Sequence, residues 1–168
     1  DFLHWERTAP DDVAFKQPFG DTWKTRTWKQ AGDEARRVAG YLQSLQLPPR
    51  SHVAILSKNC TEWILSDIAI MMAGHVSVPV YATLSAEHVQ QVLEHSDSRA
   101  VFIGKLDDYN SQKAGVSDNL KKISFDDYGT TEGRTWSDII KNQEPIDQVV
   151  EQNPDDLLSI LYTSGTTG

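Results

Sequence analysis

Short apolar runs alternate with amphipathic segments along most of the chain. Three compact apolar runs predict buried strands, and they occupy residues 52–56, 76–80 and 100–103. Before and between them, apolar residues recur at spacings of three and four, which predicts helices that begin after Thr27, Asn59 and Ser85. Regular alternation of helix and strand favours an α/β fold, in which a layered sheet of mostly parallel strands is flanked by helices.

Local signals indicate where these elements end. Thr27 and Gln30 have the pattern of a capping box, and the prolines after Leu47 should stop the first helix. Asn59 is placed to cap the second helix, which is apolar nearly all round and should be buried on more than one side. Residues 1–26 mix aromatic and charged side chains, and we expect short strands or an arm there.

The second half of the chain is less regular. Residues 104–134 are rich in glycine and aspartate and predict an irregular connector with one short strand near Ile123. Residues 157–162 form an apolar run that predicts a further strand, and they lead into six residues of Gly, Ser and Thr only. We interpret residues 1–168 as a single subdomain that ends in this polar segment.

Composition excludes several classes of function. The chain has 168 residues and a formal net charge of −8, which argues against nucleic-acid binding and against a polybasic membrane-binding patch. The single cysteine, Cys60, excludes an intrachain disulfide and a multi-cysteine metal site and fits a reducing compartment. No apolar run reaches the roughly 20 residues of a membrane-spanning helix, and no signal peptide is visible. Since no methionine starts the chain, we expect that it begins inside a longer one.

The Gly, Ser and Thr segment is the main candidate for chemistry. Its glycines allow close backbone approach to a ligand, and successive N–H groups with added hydroxyls can hold an anion. An ordinary turn has the same composition, so composition alone favours the turn. The glycine spacing is not that of a Walker A loop, and no lysine follows. The segment comprises Thr163, Ser164, Gly165, Thr166, Thr167 and Gly168.

With Tyr162 in front of it, this segment resembles the phosphate-loop signature of the adenylate-forming (AMP-binding) enzyme superfamily over seven consecutive positions. In that family the signature continues into Pro-Lys-Gly. Further blocks resemble the family in the same order, at residues 27–28 with the helix that follows, 51–63 and 72–84. The resemblance covers roughly residues 24–168, and it is closest to long-chain fatty acyl-CoA synthetases at residues 56–60, 78–81 and 104–108.

The resemblance implies a two-step ligase. ATP and a carboxylic acid give an acyl-adenylate and pyrophosphate, and the acyl group then passes to the thiol of coenzyme A. Thr163 to Gly168 would hold the ATP phosphates, and Thr163 matches the position that helps bind Mg²⁺. The implied fold is part of the family's large N-terminal domain. The implied partners are ATP, fatty acid and coenzyme A, the implied location is cytoplasmic, and peripheral membrane contact stays open.

The chain lacks what the family places downstream of the signature: the acid pocket, the adenine-binding segments, the magnesium-binding glutamate and the catalytic lysine. From Glu144 to Gly168 it also has five acidic residues and no Lys or Arg, so a phosphate loop there needs a cation from elsewhere. We therefore expect the isolated chain to be catalytically inactive and to bind ATP weakly. We also expect an unpaired strand at 157–162 to favour self-association.

Two alternatives remain at this stage. Within the superfamily, an aryl or short-chain acyl-CoA ligase or an amino-acid adenylation domain would show the same signature. Outside it, a non-enzymatic α/β module that binds a nucleotide or an anion would have the same pattern of elements.

Other polar residues are better explained by structural roles. His88 and His95 lie seven residues apart on one predicted helix, but no third metal ligand is evident, so solvated or capping roles are favoured. Cys60 is interpreted as a buried structural thiol. Paired aspartates, as at residues 107–108, lie in turn-rich segments and predict solvated surface rather than acid–base chemistry.

Overall fold

A computed structural model describes residues 1–162 of the chain. The helices in these residues are α1 (Phe2–Thr8), α2 (Trp28–Ser44), α3 (Thr61–Met72), α4 (Ala86–His95), α5 (Tyr109–Gln112) and α6 (Trp136–Asn142). The strands are β1 (Val13–Phe19), β2 (Thr22–Thr27), β3 (His52–Leu56), β4 (Val76–Val80), β5 (Ala100–Ile103), β6 (Lys121–Ser124) and β7 (Arg134–Thr135). None of these helices has both the length and the apolar character needed to cross a membrane.

Five strands form one parallel sheet in the order β4-β3-β5-β6-β7, and β1 and β2 form a separate antiparallel hairpin. Strand β3 lies inside the sheet, where Ala54 is opposite Val78 of β4 on one side and Val101 of β5 on the other. The predicted α/β fold with a mostly parallel, layered sheet is confirmed.

Helices cover both faces of the sheet because the chain crosses the sheet first in one direction from β3 and then in the other. It passes through α3 to β4 on one side, and then through α4 back across β3 to β5 on the other. Connections between parallel strands have one hand, so the two helices must lie on opposite faces. On β3, Val53 and Ile55 pack in the core with α2, α3 and α6, while Ala54 and Leu56 pack in a second core with α4.

The N-terminal region differs from the expectation of short strands or an arm. Strands β1 and β2 are present, but residues Phe2–Thr8 form a helix whose first turn is capped by the Asp1 side chain. The Trp5 ring stacks on Trp28 at 6.4 Å, so α1 is held against α2 by aromatic contact that has no periodic signal in seven residues. The capping box of Thr27 and Gln30 is confirmed at the start of α2.

Two predicted helix ends are wrong. Helix α2 ends at Ser44, before the prolines, because Leu45 N–H turns to Leu42 O and Gln46 takes a positive φ of 55°. Helix α3 begins after Cys60 rather than Asn59, and Cys60 offers no side-chain cap. Its first N–H, on Thr61, instead donates to Gln17 Oε1 of strand β1 at 3.1 Å. A tertiary contact therefore satisfies the free N–H that a local capping side chain was expected to satisfy.

The burial of α3 is also less complete than its composition suggests. Leu65, Ala69 and Ile70 are buried, but Ile64 is 41% exposed. Glu62, although charged, is almost fully buried. The apolar content of this helix alone does not indicate which face lies on the core.

Within residues 104–134 the structure has α5, β6, β7 and two short 3₁₀ helices, Lys113–Gly115 and Asp126–Tyr128. The strand expected near Ile123 is β6, and it pairs with β5. Gly133 has a φ of +68°, and a Cβ there would lie 2.1 Å from Lys122 O, so the turn into β7 requires glycine.

The strand predicted at residues 157–162 is wrong as a regular strand. It is reduced to one parallel bridge, between Ser159 and Ser77 of the edge strand β4. Val76 N–H points inward to Ser51 O, so the outward positions on β4 are Ser77 and Pro79. Proline has no N–H, and the ladder therefore has no donor at the next outward position. The sequence-based expectation that Pro79 would interrupt the ladder or face away from it is consistent with this arrangement.

Candidate functional site

The predicted phosphate-binding residues 163–168 lie outside the described residues. The segment that leads into them, residues 149–162, is described and is called the approach segment below. Tyr162 is its last residue and directly precedes Thr163. The contacts of the approach segment therefore describe how the chain is held up to the residue before the candidate site.

The first part of the approach segment is attached to the end of helix α3. Val150 N–H donates to Met72 O at 2.9 Å, and Gln152 Nε2 donates to Met71 O at 2.8 Å. Gly74, with a φ of +85°, ends this helix, and a Cβ there would lie 2.9 Å from Val150 Cγ1. The glycine that ends the helix thus also leaves room for the segment to pass.

Arg50 is a cation that contacts the acidic end of the chain. Its guanidinium donates to Gln152 Oε1 and to Leu157 O, both neutral acceptors. Among the described residues no carboxylate forms a salt bridge with it, so its positive charge is not cancelled by a direct partner. Burial and the nearby Arg50 charge lower the pKa of His75, whose Nδ1 accepts the Ser51 N–H at 3.2 Å. Arg50 thus places positive charge beside the approach segment.

The middle of the approach segment lies along strand β4. Ser77 N–H donates to Leu158 O at 2.9 Å, and Ile160 N–H donates to Ser77 O at 2.8 Å. Ile160 packs against the core on the α4 face, whereas Leu161 is 66% exposed. The alternation shows that this short piece has the local geometry of a strand even though its ladder is not continued.

Tyr162 is held by a residue that sequence reasoning assigned no such role. Its hydroxyl oxygen lies 2.8 Å from Nδ1 of His95, at the end of α4, and the two rings meet edge to face at 5.6 Å. Tyr162 also packs against the apolar core beneath α4, and burial raises the pKa of its phenol. The two residues are 67 positions apart, and no spacing rule connects them.

A buried charged cluster lies on the other face of the sheet and was also missed. Arg26, 3% exposed, pairs with Glu34 at 2.6 Å and with Glu62 at 3.5 Å. Tyr128 donates to Glu62 at 3.2 Å, and Trp136 Nε1 donates to Glu34 at 2.9 Å. Burial lowers the pKa of Arg26, but the hydrogen bonds and charges of the two glutamates outweigh it and raise that pKa. The cluster joins the β1–β2 hairpin to α2 and α3, and its central pair, Arg26 and Glu62, is almost fully buried, which indicates a structural role.

The remaining candidates have structural roles as well. Cys60 is buried, and burial raises the pKa of its thiol, which disfavours the reactive thiolate. In residues 1–162, neither His88 nor His95 belongs to a group of three or more His, Cys, Asp or Glu side chains that could hold a metal ion. Asp107 pairs with Lys58 at 2.5 Å on the surface. The possible Mg²⁺ ligand, Thr163, lies outside the described residues.

Comparison with known proteins adds to this geometry. Residues 2–168 match the family described as AMP-binding enzyme. The chain is 30% identical over 162 residues to Long chain acyl-CoA synthetase 2 of Arabidopsis thaliana, with 88% of this chain and 24% of that protein covered. It is 32% identical over 159 residues to Fatty acyl-CoA synthetase A of Dictyostelium discoideum, with 87% of this chain and 24% of that protein covered.

A solved structure likewise matches nearly all of this chain with only part of its own length. The crystal structure of coronafacic acid ligase from Pectobacterium brasiliense aligns with a TM-score of 0.81 at 23% identity, over 96% of this chain and 32% of that one. The chain spans about a quarter of the length of the two curated relatives and about a third of this solved structure. The similarity therefore extends along nearly all of this chain and along the corresponding part of longer proteins.

Proposed function

The chain belongs to the AMP-binding enzyme family, and from this premise we propose that it is the N-terminal part of an ATP-dependent long-chain fatty acid–CoA ligase. The observation that carries the proposal is the family match through Gly168, which includes the Gly, Ser and Thr segment after Tyr162. The choice of a long-chain acid is supported by the names of the two relatives, a long chain acyl-CoA synthetase and a fatty acyl-CoA synthetase.

The reaction proceeds in two steps. The fatty acid carboxylate attacks the α-phosphorus of ATP, the bond to the β-phosphate oxygen breaks, and pyrophosphate leaves. The thiol of coenzyme A, as the thiolate, then attacks the acyl carbon and displaces AMP. A carboxylate is a weak nucleophile toward an anionic phosphorus, so the protein must orient both partners and neutralise charge.

Residues 163–168 serve the first step. Their backbone N–H groups and hydroxyls hold phosphate oxygens, and the glycines leave space for close approach. Thr163 offers one neutral hydroxyl oxygen, which fits Mg²⁺, an ion that takes oxygen ligands and is usually held by phosphates, waters and one or two protein groups. When bound, the ion neutralises phosphate charge. Arg50 adds positive charge beside the approach segment.

The test is a pyrophosphate-release assay on the longer protein that contains this chain, with acetate, benzoate and hexadecanoate as acids. We expect release with ATP and hexadecanoate at a kcat/KM at least tenfold above that for the other two acids. Release with benzoate or acetate alone would replace the long-chain assignment by another branch of the family, and no release with any acid would overturn the ligase.

A matched pair of threonine variants tests the segment itself. Thr163→Val removes the hydroxyl at nearly constant volume, and we expect it to raise the KM for Mg-ATP about tenfold, as for the loss of a hydrogen bond to a charged group. Thr131→Val, at an exposed position, is the control and should not change it. Equal KM values for the two variants would remove Thr163 from the site.

The 168-residue chain by itself is expected to bind Mg-ATP weakly, because family regions that contact the nucleotide follow the signature. Isothermal titration calorimetry measures this directly. A micromolar dissociation constant for the isolated chain would contradict the proposal that these other regions are required.

A further inference from the structure

The approach segment is attached at successive points, and the last of them involves the side chain of His95. Val150 and Gln152 bond to the end of α3, and Leu158 and Ile160 bond to Ser77. Within residues 1–162, the next hydrogen bond along the chain is the one between Tyr162 and His95.

This last contact has a defined geometry. The 2.8 Å separation of Tyr162 Oη and His95 Nδ1 is that of a good hydrogen bond. The rings meet at an angle of 88° with centroids 5.6 Å apart, which is a favoured edge-to-face arrangement. Two different interactions therefore fix both the position and the orientation of the Tyr162 side chain.

The supporting helix is firmly held. Val89 and Leu93 of α4 are buried in the core under the sheet, and Ser85 caps its first turn. His95 is in the last turn of this helix, so its imidazole is attached to a helix that is packed on the core. The backbone ladder beside it ends at Pro79, which cannot donate to the approach segment. Within residues 1–162, no backbone hydrogen bond holds the chain after Ile160, and the contact of Tyr162 with His95 is what attaches it there.

We propose that His95 is a positioning residue for the phosphate-binding segment: it holds Tyr162, the residue joined directly to Thr163. The inference rests on the proposed function, because it assigns His95 a part in binding ATP phosphates. His95 acts through Tyr162 and is not a catalytic residue. Without the contact, residues 161 and 162 must be ordered when ATP binds, and that cost lowers the affinity for ATP.

The test uses the longer protein with variants His95→Ala, His95→Asn and Tyr162→Phe, and the double variant of His95→Ala with Tyr162→Phe. His95→Ala and Tyr162→Phe should each raise the KM for ATP about fivefold, the ratio expected for one neutral hydrogen bond, with kcat changed less than twofold. His95→Asn keeps a side-chain group near the position of Nδ1 and should restore the KM to within twofold of the wild type. The double variant should be no worse than His95→Ala, because both single changes remove the same bond.

The matched control is His88→Ala, since His88 is exposed on the same helix and its side chain makes none of the hydrogen bonds described in residues 1–162. This variant should keep the wild-type KM. An unchanged KM in His95→Ala overturns the proposal. So does a double variant in which the two single effects multiply.

Hydrogen–deuterium exchange separates this inference from the proposed function. Peptides that cover residues 157–168 should exchange at least threefold faster in His95→Ala than in the wild type or in His88→Ala, with or without ATP. If no acid supports pyrophosphate release, the ligase proposal fails. The exchange rates alone then show whether His95 holds Tyr162 and the residues around it. Equal exchange in His95→Ala and wild type overturns the role of His95.

Discussion

Strand β5 and the end of the approach segment, residues 157–162, are both apolar runs, yet their surroundings are opposite. All four residues of β5 are buried, and the strand pairs with β3 on one side and β6 on the other. The approach segment pairs with β4 through a single bridge, and Leu157 and Leu161 are more than half exposed. The sheet interior therefore stabilises the fold, whereas the residues before the candidate site are held by a few hydrogen bonds and by the packing of Ile160 and Tyr162 on the α4 face. Such segments open locally at lower free energy than a core strand does.

Among the substitutions that test this difference, one at Phe102 in the buried strand β5 should have the largest effect. Its ring is fully buried in β5, with centroids 6.0 Å from Phe125 and 6.5 Å from Trp136. We expect Phe102→Ala to lower the free energy of unfolding by about 4 kcal/mol, because it leaves a cavity between the sheet and the helices. Urea denaturation measures this, and Phe102→Leu should cost clearly less. A loss below about 1.5 kcal/mol would mean that β5 is not a packed interior strand.

The second test concerns the charged cluster on the α2 and α3 face. Arg26→Met leaves Glu62 buried without its cation, and we expect a loss of about 3 kcal/mol in the free energy of unfolding. Lys24 lies on the same hairpin as Arg26, and its ion pair with Asp127 is exposed. Lys24→Met should therefore lower the free energy of unfolding by less than about 1 kcal/mol.

The double variant of Arg26→Met with Glu62→Leu removes both buried charges and should recover part of the loss. Equal costs for Arg26→Met and Lys24→Met would show that the cluster is solvated, against the burial seen here.

A smaller effect is expected where α2 begins over the same face. The Thr27 hydroxyl accepts the Gln30 N–H at 3.1 Å, and the Gln30 side chain accepts the Thr27 N–H at 2.9 Å. Thr27→Ala should lower the free energy of unfolding by about 1 kcal/mol, and Thr27→Ser should leave it nearly unchanged. Thermal and urea denaturation of the two variants together would show whether the hydroxyl or the methyl group is responsible.

The approach segment should give the smallest effect. Leu161 is 66% exposed, so Leu161→Ser should change the free energy of unfolding by less than about 0.5 kcal/mol. The same substitution at buried Leu65 of α3 should be severely destabilising. A loss above about 1.5 kcal/mol at Leu161 would place that side chain in a packed interior and remove the contrast between the two regions.

Much of the fold could be predicted from the sequence because local patterns and tertiary packing agree. Strands β3, β4 and β5 lie where compact apolar runs predicted them, and Ser85 caps α4 as expected. The prediction was wrong where a distant residue replaced a local signal. Gln17 binds the first N–H of α3, so that helix begins without the cap expected from Asn59.

In the candidate site, too, the features with a local sequence signal could be predicted and those that depend on distant residues could not. Residues 163–168 could be singled out because their composition and resemblance are local properties of the chain, and their role stays a prediction. The partners of the approach segment could not be found in this way. Arg50 and His95 reach it across 107 and 67 positions, and hydrogen bonds between such distant residues produce no periodicity in the sequence.

Local patterns along the chain were enough to predict the α/β class, the order of the main elements and the position of the Gly, Ser and Thr segment, because periodicity, capping residues and turn residues act over a few positions. Three features became visible only in the folded chain: β3 is an interior strand, Arg26 is buried between two glutamates, and Tyr162 is held by His95. Each of these depends on which distant segments the packed sheet brings together, and the free energy of that packing is shared among residues from the whole chain.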